Sequence, residues 1–169
     1  MPKKNGFTIV EILITITIIG ILTLIAIPNF RKFNKEQLLR NFATDLIYNL
    51  RKAQINAQSG VKCPDGNPSV TWGINFLANS SYELIATCEG SNYTGNAVST
   101  PNITLSTNCG AYPSVLKFNQ NGVIYPDSSS CPSLGNQIFA VTLSDSTKNY
   151  ILNIDKGGAI YENMPSPSP

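Results

Sequence analysis

The chain has 169 residues, with 12 Lys and Arg, 10 Asp and Glu and no histidine, so its formal net charge is +2. The absence of histidine removes the commonest general base and the commonest neutral metal ligand, which disfavours triad-type hydrolysis and metal-dependent chemistry. Residues 60–169 hold four lysines against seven acidic residues. This half therefore lacks the basic balance that nucleic-acid binding normally requires.

The N-terminal segment is the most distinctive part of the sequence. A basic leader, MPKKNG, precedes an apolar run from Phe7 to Ile27 in which Glu11 is the only formally charged residue. A helix of about 20 apolar residues is long enough to cross the hydrocarbon core of a bilayer. A carboxylate inside such a helix is costly and needs a partner, for which an ammonium group is the natural choice. The sequence predicts a transmembrane helix with one functional acid near its start.

Four interpretations of this segment compete. A cleavable secretory signal is disfavoured because the apolar run is too long and no A-x-A site precedes Pro28. A plain signal anchor fits the length but leaves Glu11 unexplained, and a buried core helix is disfavoured because the run is apolar all round. The fourth interpretation is cleavage ahead of the helix, between Gly6 and Phe7. Flanking charges leave the orientation open, and the distal cysteines favour an exported C-terminal half.

Helical periodicity resumes beyond Pro28, just before which a kink is expected. Ser59 and Gly60 supply the stop, because glycine suits a left-handed cap. The sequence thus predicts one kinked helix over roughly Phe7–Ser59, apolar in its first half and amphipathic in its second. Its threonines, Thr8, Thr15, Thr17 and Thr23, are expected to bond back to the preceding turn. The apolar positions of its second half are Leu39, Phe42, Leu46, Leu50, Ala53 and Ala57.

The composition after Gly60 changes to Asn, Ser, Thr, Gly and Pro with short β-prone runs. Asn121-Gly122 is a strong hairpin signal, and Ala78–Ser81 reads as a second hairpin turn. Six or seven antiparallel strands are expected, which implies a helix laid on a sheet. The β-prone runs are Ser69–Leu77, Tyr82–Thr87, Val115–Asn119, Val123–Tyr125, Gln137–Ser144, Asn149–Ile154 and Ala159–Tyr161.

All four cysteines lie within residues 60–169: Cys63, Cys88, Cys109 and Cys131. None forms a CxxC pair, so zinc binding and thioredoxin-like chemistry are disfavoured. An even number of cysteines beyond an apolar segment indicates two disulfides in an oxidising compartment. Three connectivities are possible. We favour Cys63–Cys88 and Cys109–Cys131, because each closes a loop around one predicted hairpin.

The segment KNGFTIVEILITITIIGILTLIAIPNF resembles the class III signal of type IV pilins and type II secretion pseudopilins. The resemblance implies that a prepilin peptidase cleaves between Gly6 and Phe7 and methylates the new N-terminus at Phe7. It also implies that Glu11, Thr8 and Pro28 serve filament assembly. Glu11 would pair with the terminal amine of Phe7, on the same chain or on a neighbouring subunit.

The C-terminal half resembles, by pattern, the GspH/FimT-type minor subunits of these filaments. The stretches that carry the resemblance are LKFNQNGVIY and QIFAVTLSDSTKNYILNIDKGGAIY, which share the order of a hairpin, two alternating strands and a glycine-containing turn. Some FimT-like pilins carry an arginine-bearing, DNA-binding motif near this turn. Here the turn reads Asp155-Lys156-Gly157-Gly158, with no arginine, so DNA binding is not favoured.

The sequence and the resemblance together predict an α+β fold, in which a long kinked N-terminal helix packs on a small antiparallel β-sheet or β-sandwich. The expected divisions are a leader (1–6), a transmembrane and filament-core helix (7–27), its amphipathic continuation (28–59), a disulfide-bonded β head (60–162) and a flexible tail (163–169). We refer below to residues 60–162 as the head. Neither a cofactor nor a metal is expected.

The expected function is that of a non-enzymatic minor pilin or pseudopilin. It would act in pilus priming, motility, adhesion or DNA uptake. Its implied partners are prepilin peptidase, sibling subunits, an inner-membrane assembly platform and membrane lipid. The precursor would span the inner membrane with its head in the periplasm and later enter the filament. A GspH-like type II secretion pseudopilin, a major pilin, and a signal-anchored periplasmic enzyme or binding domain are the alternatives.

Overall fold

The structure is a computed structural model of the 169-residue chain. For residues 25–29, 31–32, 124–126 and 163, the structure describes the backbone but not the side chains. The chain divides into two compact units, residues 1–38 and 39–169. The described residues are 6–78, 80–109, 113–122, 124–126, 138–145 and 148–163.

A single helix, α1, spans Ile9–Gln58, close to the predicted Phe7–Ser59. Its backbone is helical through residue 28, and the kink expected there stays a prediction. The helix ends in a Schellman motif, in which Gly60 adopts a φ of 60°. The amide of Gly60 donates to the carbonyl of Ala57 (3.3 Å), and that of Val61 to the carbonyl of Asn56 (2.9 Å). The predicted glycine stop is confirmed.

The described residues contain ten strands, more than the six or seven predicted, and they form two antiparallel sheets. Sheet A has the order β3-β2-β1-β6-β7, with β4 also paired to β2, and sheet B has the order β10-β9-β8-β5. The strands are β1 Ser69–Leu77, β2 Ser81–Cys88, β3 Ser91–Thr94, β4 Val98–Ser99, β5 Thr104–Thr107, β6 Ser114–Phe118, β7 Ile124–Pro126, β8 Phe139–Ser144, β9 Asn149–Ile154 and β10 Ile160–Asn163.

Both predicted hairpins are present, and the two predicted alternating strands also pair with each other. β1 pairs with β2, β6 with β7 and β8 with β9, all antiparallel. Gly122, in the turn between β6 and β7, has a φ of 75°, as the Asn-Gly signal predicts. The additional strands β3, β4 and β5, which are not predicted from the sequence, have at most four residues each.

One hydrophobic core joins the second part of α1 to both sheets. The side chain of Phe42 packs against Tyr82 of sheet A, with ring centroids 5.6 Å apart. The two sheets meet where Phe76 packs against Phe139, at 5.7 Å. All six helix positions predicted to face a partner are buried, at 3% exposure or less. The predicted α+β fold, with helix packed on antiparallel sheet, is confirmed.

Candidate processing and assembly site

Four of the sequence-predicted site residues, Gly6, Phe7, Thr8 and Glu11, lie just before the start of α1 or in its first turn. Gly6, Phe7 and Thr8 lie outside the helix, which begins at Ile9. Thr8 occupies the N-cap position: its carbonyl accepts hydrogen bonds from the amides of Glu11 (3.1 Å) and Ile12 (3.3 Å). Its hydroxyl also accepts one from the Glu11 amide, at 3.3 Å. The bond from Ile12 is the first i→i−4 bond of the helix, whereas the Glu11 amide belongs to the first turn and has no i→i−4 partner within the helix.

The prediction about threonine hydroxyls is right for three residues and wrong for Thr8. Thr15 donates to the carbonyl of Ile12 (2.8 Å), Thr17 to that of Leu13 (2.7 Å) and Thr23 to that of Ile19 (2.7 Å). Thr8 has no preceding helical turn, so its hydroxyl accepts a bond instead of donating one backwards. The spacing Thr-x-x-Glu is a capping-box pattern, and this signal could have revealed the role from the sequence.

Glu11 lies in the first turn of α1. A carboxylate there is stabilised by the positive end of the helix dipole. Because Phe7 still carries residues 1–6 in this chain, its nitrogen is an amide and not the amine with which Glu11 is predicted to pair. The pairing of Glu11 with the Phe7 amine, like the roles assigned to Gly6 and Pro28, stays a prediction.

Apart from Glu11, the surface of α1 over residues 9–24 exposes large apolar side chains on every side. Eleven Ile, Leu and Val side chains between residues 9 and 24 are 52–82% exposed. Over the part of the chain that the structure describes, no helix reaches the length and hydropathy of a membrane span. Eleven large apolar side chains left in water carry a free-energy penalty on the order of 15 kcal/mol compared with a buried state.

The head contains a disulfide between Cys63 and Cys88, whose Cα atoms are 6.3 Å apart. This is the first pairing favoured from the sequence. Cys109 is also disulfide-bonded, whereas Cys131 lies outside the described residues, so the second pairing stays a prediction. The only described group of three potential metal ligands is Cys63, Asp65 and Cys88. Since both cysteines are in the disulfide, their thiolates are not available to a metal.

Asp65 stabilises the loop beside this disulfide through hydrogen bonds. One carboxylate oxygen accepts a hydrogen bond from the Asn67 amide (3.1 Å), and the other accepts one from the Ser91 hydroxyl. The Ser91 bond, followed by the Asn67 backbone bond, holds the pKa of Asp65 below its usual value. This carboxylate therefore acts as a hydrogen-bond acceptor within the loop.

The glycine turn before β10 shows a similar arrangement around Asp155. Its carboxylate accepts hydrogen bonds from the amide of Ala159 (2.9 Å) and the hydroxyl of Tyr161 (2.9 Å). These bonds lower the pKa of Asp155, the Ala159 amide contributing most. The turn thus presents a stabilised negative charge.

A polar depression of about 220 Å³ lies on the outer face of sheet A. Asn75, Glu83 and Lys117 are among the residues that line it, and the Asn75 side-chain amide donates to the Glu83 carboxylate at 2.8 Å. Its described lining contains neither a nucleophile beside a base nor a cluster of metal ligands. The depression therefore gives no support to the enzyme alternative.

Comparison with known proteins identifies the N-terminal segment. Residues 1–27 match the family described as the prokaryotic N-terminal methylation motif. The chain is pilin-like over these residues. The motif implies a membrane-anchored precursor that is processed by a prepilin peptidase and then assembles as a pilin-like subunit.

Two curated proteins are similar to part of the chain. Over 54 residues, 31% of the chain, it is 43% identical to the type IV major pilin protein PilA of Myxococcus xanthus (strain DK1622), covering 24% of that protein. Over 55 residues, 32% of the chain, it is 44% identical to the competence protein ComGC of Bacillus subtilis (strain 168), covering 54%. The chain thus spans about a quarter and about half of the length of these relatives. No solved structure matches it.

Proposed function

We propose that the chain is a non-enzymatic subunit of a type IV pilus-like filament, of the GspH/FimT minor type. The observation that supports it most directly is the start of α1. The Gly6-Phe7 pair lies outside the helix and precedes a helical segment that exposes apolar side chains all round. A surface of this kind requires either lipid or other apolar helices around it, and a filament subunit meets both in turn.

The mature N-terminus tests this proposal. The chain is produced with a prepilin peptidase, and its intact mass and N-terminal sequence are determined. We expect removal of residues 1–6 and a single methyl group on the amine of Phe7. An intact Met1, or a cut near residue 27, would refute the proposal and favour a signal-anchored periplasmic enzyme or binding domain.

Glu11 is the proposed assembly residue. After cleavage, its carboxylate would pair with the amine of Phe7 in a neighbouring subunit, which neutralises both charges in an apolar filament core and fixes the axial position. We expect Glu11→Gln to reduce assembly strongly, because the amide cannot carry the charge. Glu89→Gln, an exposed acid of the head, is the matched control. Assembly of Glu11→Gln at the wild-type level would contradict the pairing.

The minor-pilin assignment depends on the order of elements in the head. The β6–β7 hairpin, the alternating strands β8 and β9 and the glycine turn before β10 follow the order on which the resemblance rests. The secretion pseudopilin and the major pilin share the same N-terminal segment. Deletion strains distinguish them: a pilus role predicts altered piliation or transformation, and a secretion role predicts loss of protein secretion with piliation intact.

A further inference from the structure

Thr8 fixes the residue at which α1 begins. Its carbonyl accepts hydrogen bonds from the amides of Glu11 and Ile12, and its hydroxyl accepts a second bond from the Glu11 amide, at distances of 3.1–3.3 Å. Asn, Asp, Ser and Thr are the residue types that perform this capping most effectively. The helix consequently begins at Ile9, two residues after the Gly6–Phe7 bond at which cleavage is proposed.

The position of the cap determines whether the Gly6–Phe7 peptide bond lies outside or inside the helix. Among the described residues, no backbone hydrogen bond reaches the carbonyl of Gly6 or Phe7, and Phe7 is 82% exposed. Hydrolysis adds one water across the Gly6–Phe7 bond, leaving a carboxylate on Gly6 and an amine on Phe7. Attack on the Gly6 carbonyl needs its oxygen to be available to the donors that stabilise the tetrahedral intermediate. A carbonyl already bonded within a helix is not available in this way.

The sequence offers a competing cap three residues upstream. Asn5 is of a residue type that favours the N-cap position. A helix capped there would include Gly6 and Phe7, and the Gly6 carbonyl would accept the amide of Val10, four residues on. Whether the Gly6–Phe7 bond lies outside or inside the helix therefore depends on which of the two caps is used.

From this competition we infer that the Thr8 hydroxyl is a positioning group for leader removal. It places the start of the helix after Phe7 and so keeps the Gly6–Phe7 bond outside the helix for the peptidase, while making no contact of its own with the reacting atoms. The inference rests on the proposed function, because it concerns the peptidase that this function requires.

The test compares leader removal from full-length variants in membranes that contain prepilin peptidase, followed by mass spectrometry over time. Thr8→Val keeps the shape of the side chain but removes the capping oxygen. We expect Thr8→Val to be cleaved about 2- to 30-fold more slowly than the wild type, which corresponds to the loss of one helix cap. Thr8→Ser retains the oxygen and should cleave at the wild-type rate. Thr15→Val is the matched control, because the hydroxyl of Thr15 bonds back within the helix and should not affect cleavage.

A double variant separates capping from direct recognition of Thr8 by the peptidase. If Thr8→Val is slow because the helix extends to Asn5, then Asn5→Ala with Thr8→Val removes both caps and should restore most of the rate. Direct recognition of Thr8 predicts instead that the double variant stays as slow as the single one, and this would overturn the inference.

The two proposals fail in different ways. Absence of wild-type cleavage at the Gly6–Phe7 bond would remove the proposed function and this inference with it. Normal wild-type cleavage, with Thr8→Val processed equally fast, would remove only the inference.

Discussion

The disulfide between Cys63 and Cys88 allows a quantitative prediction for the stability of the head. The two residues are 25 positions apart. In the chain-entropy model, opening a loop of this length costs about 3.5 kcal/mol of the free energy of unfolding, because the unfolded chain gains freedom. We expect Cys63→Ala with Cys88→Ala to lower stability by about this amount. Urea unfolding in detergent, followed by near-ultraviolet circular dichroism, measures it.

The slope of the unfolding curve tests the reason for the loss. An unfolded chain without the cross-link exposes more surface, so the dependence of the free energy on urea should become steeper. Ser91→Ala is the matched control, because it removes a folded-state contact beside the same loop without changing the unfolded chain's connectivity. A double-cysteine variant that loses less than about 1 kcal/mol, or that loses stability with an unchanged slope, would refute the reasoning.

Three further variants follow from burial, backbone geometry and ionisation. Leu50 is fully buried, so Leu50→Ala should cost about 3–5 kcal/mol in urea unfolding, whereas Tyr48→Ala, 64% exposed, should change stability by less than about 0.5 kcal/mol. Gly158 has a φ of 84°, and a Cβ there would lie 2.8 Å from a backbone carbonyl oxygen. Gly158→Ala should therefore lower the free energy of unfolding by more than about 1 kcal/mol, which a lower thermal midpoint would report. Burial raises the pKa of Tyr82 to about 12. The stabilisation by the neutral form of Tyr82 is complete below pH 10 and is lost as the pH rises to 12, by roughly 2–3 kcal/mol at most. Tyr82→Phe should remove this step from the pH profile of stability.

The helix was predictable because its signals are local. The spacing of Leu39, Phe42, Leu46 and Leu50 gives one apolar face, and these residues are the ones that the sheets cover. The stop at Gly60 was predictable for the same reason, because a left-handed residue ends a helix through bonds to its own last turn. The hairpins likewise depend on turns within a few residues.

The division into two sheets was not predictable, because it depends on pairings between distant parts of the chain. β5 pairs with β8, bringing Thr104 opposite Ser144, and β6 pairs with β1, bringing Ser114 opposite Phe76. No local pattern specifies such partners. In the candidate site, the Thr8 cap had a local signal in the Thr-x-x-Glu spacing. The prediction for Thr8 is wrong because it treats Glu11 only as a charge in a membrane and not as the fourth residue of this pattern.

The back-bonded threonines of α1 have a consequence for movement between environments. Thr15, Thr17 and Thr23 each donate to a carbonyl of their own helix, so their hydroxyl protons need nothing from the surroundings. Passage from lipid into a bundle of apolar helices would then break no threonine hydrogen bond and require none to form. To its neighbours the helix presents an almost uniform hydrocarbon exterior, and its transfer between such surroundings becomes close to an exchange of van der Waals contacts.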